Sequence, residues 1–303
     1  MTVDLRAAHA FIDTHARVLD RRRHALHNGH GDPAAVLAAL GAYRNPDGGY
    51  GWGLEPDLRS PESQPAAAGH AFEVFAEAGS DAGPQAVALC DWLQSITLGD
   101  GGLPFVRPIT RHAGVAPWFV AGDPAVSSLQ ITAFITAAGQ GVAAHDPAVA
   151  GHPWLERATR YCLETIGAID GPPFAYTLAF SIRLLEALGD QPPEAVALMD
   201  ALAVHVPPDG RVPVAGGAEG ETLRPLDITP DPRGRARALV EPEHVAADLD
   251  RLACAQQDDG GWTVDYLPIS PAGSLEWRGY ATVKAIQTLR RNGVLAATPT
   301  SSG

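Results

Sequence analysis

Asp47-Gly48-Gly49-Tyr50 is a turn sequence that returns four more times along the chain. The copies are Asp100-Gly101-Gly102-Leu103, Asp170-Gly171-Pro172-Pro173, Asp209-Gly210-Arg211-Val212 and Asp259-Gly260-Gly261-Trp262. Asp and Gly favour turn and left-handed conformations, so each copy is expected to end a preceding helix. The Asp residues are 53, 70, 39 and 50 positions apart, a loose repeat. Between the turns two kinds of stretch alternate. Val196, Met199, Leu202 and Val206, and again Val245, Leu249 and Leu252, recur at three- and four-residue steps, the mark of a half-buried helix. Ser128 to Ile135 and Tyr176 to Leu185 are apolar on nearly all sides, as fully buried helices are. Alanine, 52 of 303 residues, favours helix and close helix packing. The pattern predicts an all-α chain, an α/α toroid of two concentric helix layers, with an open superhelix of helix pairs as the other arrangement.

One domain is expected over residues 1–295. Pro225, Pro230 and Pro232 deny residues 211–243 a continuous helix, so this segment is expected to be a long loop or lid carrying at most a short helix. Residues 296–303 are expected to form a flexible tail. The net charge is −13, which repels phosphate backbones and argues against nucleic acid as a partner. Cys90, Cys162 and Cys254 are widely spaced and odd in number, so neither a disulfide framework nor a cysteine-rich zinc site is expected. No run of 18 apolar residues occurs, and no signal-like segment opens the chain. A cytoplasmic location follows as the expectation, and the oligomeric state stays open. His24-x-x-His27-x-x-His30 has metal-like spacing but runs into Asn28-Gly29, a helix terminus; no metal is expected there.

The turns carry a family resemblance. Cys254-Ala255-Gln256-Gln257-Asp258-Asp259-Gly260-Gly261-Trp262 resembles the glutamine–tryptophan repeat of squalene–hopene cyclases, with a weaker copy from Leu93-Gln94 to Gly102. Asn45 to Gly51 resembles the glycine-rich turn of protein prenyltransferase β subunits. The resemblance spans roughly residues 33–293 and implies the α/α toroid of that superfamily. It also implies a hydrophobic small-molecule substrate and cyclase- or isomerase-type chemistry. Two motifs of those families are missing. The nearest string to their acidic Asp-x-Asp-Asp motif is Asp248-Leu249-Asp250-Arg251, on an amphipathic helix and expected to be a solvated face. The segment matching their zinc-binding region, Glu276 to Val283, holds neither Cys nor His. Metal-independent acid catalysis, with no cofactor, is the expectation.

The candidate residues lie at the mouth that such a toroid would form. The loop from Trp52 to Pro65 contains Glu55 and Asp57, and prolines at 56, 61 and 65 restrict it. Two inward carboxylates would raise one pKa and make an acid–base pair. Glu55, Asp57, His70 and Glu276 are the catalytic candidates. Trp52, Gln64, His112, Trp118, Tyr176, Trp277, Arg278 and Tyr280 are the substrate-binding candidates, with aromatic walls suited to a cationic or apolar ligand. Arg107, Arg111 and Asp123 border the second loop, and Asp123-Pro124 is expected to cap the helix that follows it. The last buried helix is expected to start at Glu276. Two other function classes fit the same residues: a carbohydrate-active enzyme using Glu55 or Asp57 with Glu276, and a binding toroid without catalysis.

Overall fold

A computed structural model describes residues 3–266 and 269–296; the expected tail lies, from residue 297 on, outside the described residues. These contain fourteen α-helices and one two-stranded hairpin, so the all-α expectation holds. No described helix is long and apolar enough to cross a membrane. In chain order the helices are α1 (Leu5–His15), α2 (Val18–His27), α3 (Pro33–Gly41), α4 (Pro65–Ala78), α5 (Gly83–Ile96), α6 (Pro117–Val120) and α7 (Leu129–Ala143). Then come α8 (Pro147–Ala150), α9 (Pro153–Gly167), α10 (Ala175–Leu188), α11 (Pro193–Ala203), α12 (Pro225–Ile228), α13 (Pro242–Cys254) and α14 (Pro271–Arg291). By compactness the chain falls into two units: a terminal unit of Met1–Ala39 with Val206–Gly303, and a central unit of Leu40–His205.

In the central unit α7 lies between α4 and α10, and α9 touches α5, α7 and α11. The helices thus form two rows, α4–α7–α10 and α5–α9–α11. Helix α7 belongs to the apolar stretch read from the sequence and buries Ile131, Ile135 and Val142. Each such side chain contributes roughly 2 kcal/mol on burial. Its start differs from the expectation. Ser128 is the N-cap and accepts from Ile131 N, while Asp123 caps only the local turn at Ala125 N, 2.8 Å away. Gly69 lets α7 come close to α4: a Cβ there would lie 2.1 Å from the Phe134 ring.

In the terminal unit α14 packs on α1, α2 and α13. Phe11, Ile12, Trp262, Val283, Ile286 and Leu289 form its core. Helix α14 starts at Pro271, capped by Ser270, so Glu276 is inside the helix and not at its start. Residues 211–243 hold the hairpin of β1 (Val212–Pro213) and β2 (Thr222–Leu223), then α12 and a 3-10 turn at Arg235–Leu239. Asp248 corrects another expectation. It is buried, not solvated. Its Oδ2 accepts from Leu226 N at 3.0 Å and its Oδ1 from Arg251 Nε at 2.7 Å. The proline-interrupted segment packs over α13, and the buried Leu226 N–H in the first turn of α12 has no partner within its own helix and needs an acceptor there.

The repeat read from the sequence is a repeated clamp. Asp47, Asp100 and Asp259 each accept through Oδ1 from the amide of the glycine two residues on, at 3.0, 3.0 and 3.1 Å. Asp209 does the same with Arg211 N at 3.0 Å. The intervening Gly48, Gly101, Gly210 and Gly260 all have φ between 65° and 100°, which suits glycine. In the first two copies a serine closes the loop: Ser63 Oγ donates to Asp47 Oδ1 and Ser127 Oγ to Asp100 Oδ1, both at 2.7 Å. In the second and last, a helix threonine accepts from the residue after the glycines. Leu103 N donates to Thr132 Oγ1 and Trp262 N to Thr282 Oγ1, both at 2.9 Å.

Candidate functional site

The loop between the first clamp and α4 is tied down at several points. Asn45 Nδ2 donates to Pro61 O at 2.9 Å and to Ser63 Oγ at 3.0 Å. Asn45 Oδ1 accepts from the Trp52 indole at 2.8 Å. Trp52 has φ 57°, the one residue other than glycine in the left-handed region among the described residues. For a bulky side chain this costs on the order of 1–2 kcal/mol. Half the indole is nevertheless exposed, with its orientation fixed by Asn45. Arg59 lies across Gly53 and Gly114, and Leu58 bridges Val115, so the first and second loops run side by side.

Within this loop Glu55, Asp57 and Gln64 are buried. Glu55 Oε1 accepts from Asp57 N at 3.0 Å, which fixes its rotamer. Its other oxygen faces His70 Nε2 at 3.0 Å. On the far side of the ring, His70 Nδ1 lies 3.0 Å from Glu73 Oε2. Both ring nitrogens thus face carboxylates, an arrangement that only a doubly protonated ring satisfies when both carboxylates are ionised. Burial alone would lower the imidazole pKa. The hydrogen bonds to Glu55 and Glu73 and the charges of both outweigh it and raise it to about 9. The group displaced upward is therefore the imidazole.

An aromatic row leads away from the imidazole across α4, α7 and α10. His70 meets the Phe134 ring edgewise at 5.6 Å. Phe134 lies 5.1 Å from Phe180, and Phe180 6.0 Å from Tyr176. Tyr176 in turn lies 5.8 Å from the half-exposed Phe174. Glu73, Phe134 and Phe180 are the additions to the sequence-derived site. Glu73 was visible in principle, three residues after His70 on the same helix face. The two phenylalanines meet His70 only through packing between helices.

The remaining candidates are more ordinary. Gln64 spends both ends of its amide on the Arg107 backbone, at 2.8 and 3.3 Å. His112 is exposed and faces Ile109 O at 3.3 Å. Trp118 is half exposed and leans on Phe119. Glu276, Trp277, Arg278 and Tyr280 belong to α14 in the terminal unit. Glu276 is half-buried there. Trp277 is buried, edge-on to Tyr266 and Tyr280. Arg278 pairs with Asp259 at 2.6 Å and lies over the Phe11 ring, which reads as support for the last clamp. Tyr280 is covered by Arg23 and Lys284 at 5.4 and 5.5 Å. A groove of about 480 Å³ runs along Gln256, Asp258, Asp259 and Arg278. A second, of about 440 Å³, is lined by Gln140, Leu155, Glu156 and Thr159. Neither groove includes Glu55, Asp57 or His70. Among the described residues the one group with metal-compatible geometry, Glu241, Glu243 and His244, lies on the surface at the start of α13. No protein-family model and no curated protein matches the chain.

Proposed function

We propose that the chain is an α/α-toroid enzyme that moves a proton on a hydrophobic small molecule without a metal, as an isomerase or cyclase of the terpenoid type. The repeated clamp and the two helix rows of the central unit support the toroid reading. The observation that carries the chemistry is His70, held between Glu55 and Glu73 at the end of an aromatic row. Protonating an isolated alkene demands a far stronger acid than an imidazolium with a pKa of about 9. The pair is better matched to a carbon beside a carbonyl or another polarised group. There Glu55 takes the proton from one carbon and returns it to another. The fixed positive charge of His70 offsets the negative charge that develops on the substrate. This favours the isomerase branch, and it needs no residue of the terminal unit.

The test is incubation in deuterated water with a panel of unsaturated isoprenoid ketones and aldehydes, read by mass spectrometry. Deuterium uptake or a shifted double bond is expected with wild type. Glu55→Gln is expected to lose about 10²–10⁴-fold in rate while still binding the compound. Undiminished turnover in both Glu55→Gln and His70→Gln would refute the assignment. One observation favours a carbohydrate-active reading instead: the locked, half-exposed indole of Trp52 is a surface on which a sugar ring could stack. Release of reducing ends from an oligosaccharide panel would select that reading.

A further inference from the structure

Asn28 follows α2 in the terminal unit and ties its end to α14. Its Oδ1 accepts from Arg290 Nη2 at 2.7 Å. Its Nδ2 donates to His24 O at 2.6 Å and lies 3.0 Å from His24 Nε2. Its carbonyl accepts from His30 Nδ1 at 3.1 Å. A guanidinium only donates and a carbonyl only accepts. Turning the amide over would set donor against donor at Arg290 and acceptor against acceptor at His24 O. The orientation is therefore fixed twice, and Nδ2 must donate its second hydrogen to His24 Nε2. That nitrogen carries a lone pair, so His24 is neutral with its proton on Nδ1.

The groups around this ring come from each helix packed on it. From α1 comes His9, its ring 4.7 Å away; from α2 comes His27; His30 follows α2; and α14 supplies Arg290, while Asp13 of α1 acts on His9. The groups that act on His24 itself are all basic. His9 Nε2 and Arg290 Nε are buried without a hydrogen-bond partner, so the site already carries unsatisfied polar atoms. Burial, followed by His9 and Arg290, lowers the His24 pKa to about 4, and burial and Arg290 also lower that of His9.

We infer that the His24–Asn28–Arg290 chain is an acid-sensitive latch that holds the end of α2 to α14 and opens when His24 takes up a proton. Protonated Nε2 points a donor at a donor and adds a second cation beside Arg290. A base whose folded pKa lies below 6.5 adds stability above pH 6.5 and loses it as the pH falls toward 4.

The experiment uses the full chain. Long-range proton–nitrogen NMR of the imidazoles reports the His24 tautomer from pH 7.5 to 4.5. Hydrogen exchange, corrected for intrinsic rates, reports the protection of residues 24–31 and 284–293 at pH 7 and 5. His24→Gln supplies an acceptor at either pH. An unprotonated Nε2 at pH 7 is expected. From the His24 shift, protection in both segments is expected to fall about 20-fold from pH 7 to 5 in wild type, and clearly less in His24→Gln, where only His9 still titrates with a lowered pKa. Equal losses in the two proteins would overturn the latch. Should the variant not fold, the wild-type titration decides, and an Nε2-protonated ring or an ordinary pKa near 6.5 overturns it.

Discussion

Substituting His70 by Gln should cost stability by an amount set by pH. The ring is buried between Glu55 and Glu73, with its pKa at about 9 against 6.5 for a free imidazole. That gap corresponds to about 3 kcal/mol favouring the charged ring in the folded chain. The sign follows from a raised pKa: the contribution is complete below pH 6.5 and is lost as the pH climbs through 9. Gln keeps a polar side chain but cannot be charged. The difference in unfolding free energy between wild type and His70→Gln should therefore shrink by about 3 kcal/mol between pH 6.5 and 9.5, with about half of that gone by pH 8. Urea unfolding at these three pH values measures it. The comparison between two proteins at each pH cancels groups that titrate alike in both. A difference that stays constant from pH 6.5 to 9.5 would refute the ion cluster. So would an NMR titration placing the His70 ring below pH 7.

Asp47→Ala removes the acceptor for Gly49 N, Ser63 Oγ and Trp92 Nε1 and should cost about 2–3 kcal/mol in urea unfolding, whereas Asp170→Ala should stay within about 0.5 kcal/mol. Gly69→Ala drives a methyl group into the Phe134 ring and should cost about 1–3 kcal/mol, with the ring displacement visible in a crystal structure. Asp248→Ala strips Leu226 N of its partner, and hydrogen exchange should rise at residues 226–229 before it rises in α1.

The turns were legible in the sequence because an Asx turn is local: the aspartate and the amide it binds are two residues apart. Four of the five copies form that bond. At Asp170 helix α9 also ends, at Gly167, but the bond is not made for an equally local reason: the residue two positions on is Pro172, which has no N–H to give. The helical character followed from periodicity, but the starts of α7 and α14 did not. Ser128 and Ser270 cap them, although Asp123 and Glu276 are the more conspicuous residues in the sequence. Glu55 and His70 stood out as polar residues in a rigid loop and an apolar helix. Their direct pairing over 15 residues, and the row of Phe134 and Phe180, arise from helix packing that no spacing encodes. The buried role of Asp248 likewise depends on where α12 comes to rest.

The serine that closes each of the first two clamps makes loop length and frame independent of each other. Ser63 reaches back 16 residues to Asp47, and Ser127 reaches back 27 to Asp100, yet both form the same 2.7 Å bond to the same kind of turn. Closing the longer span costs only about 0.5 kcal/mol more in chain entropy. The helix after the serine starts from the same anchor whatever lies between. Each clamp is in effect a socket, and the loop it holds can be lengthened, shortened or exchanged while the scaffold keeps its register. A chain built this way can vary one loop at a time.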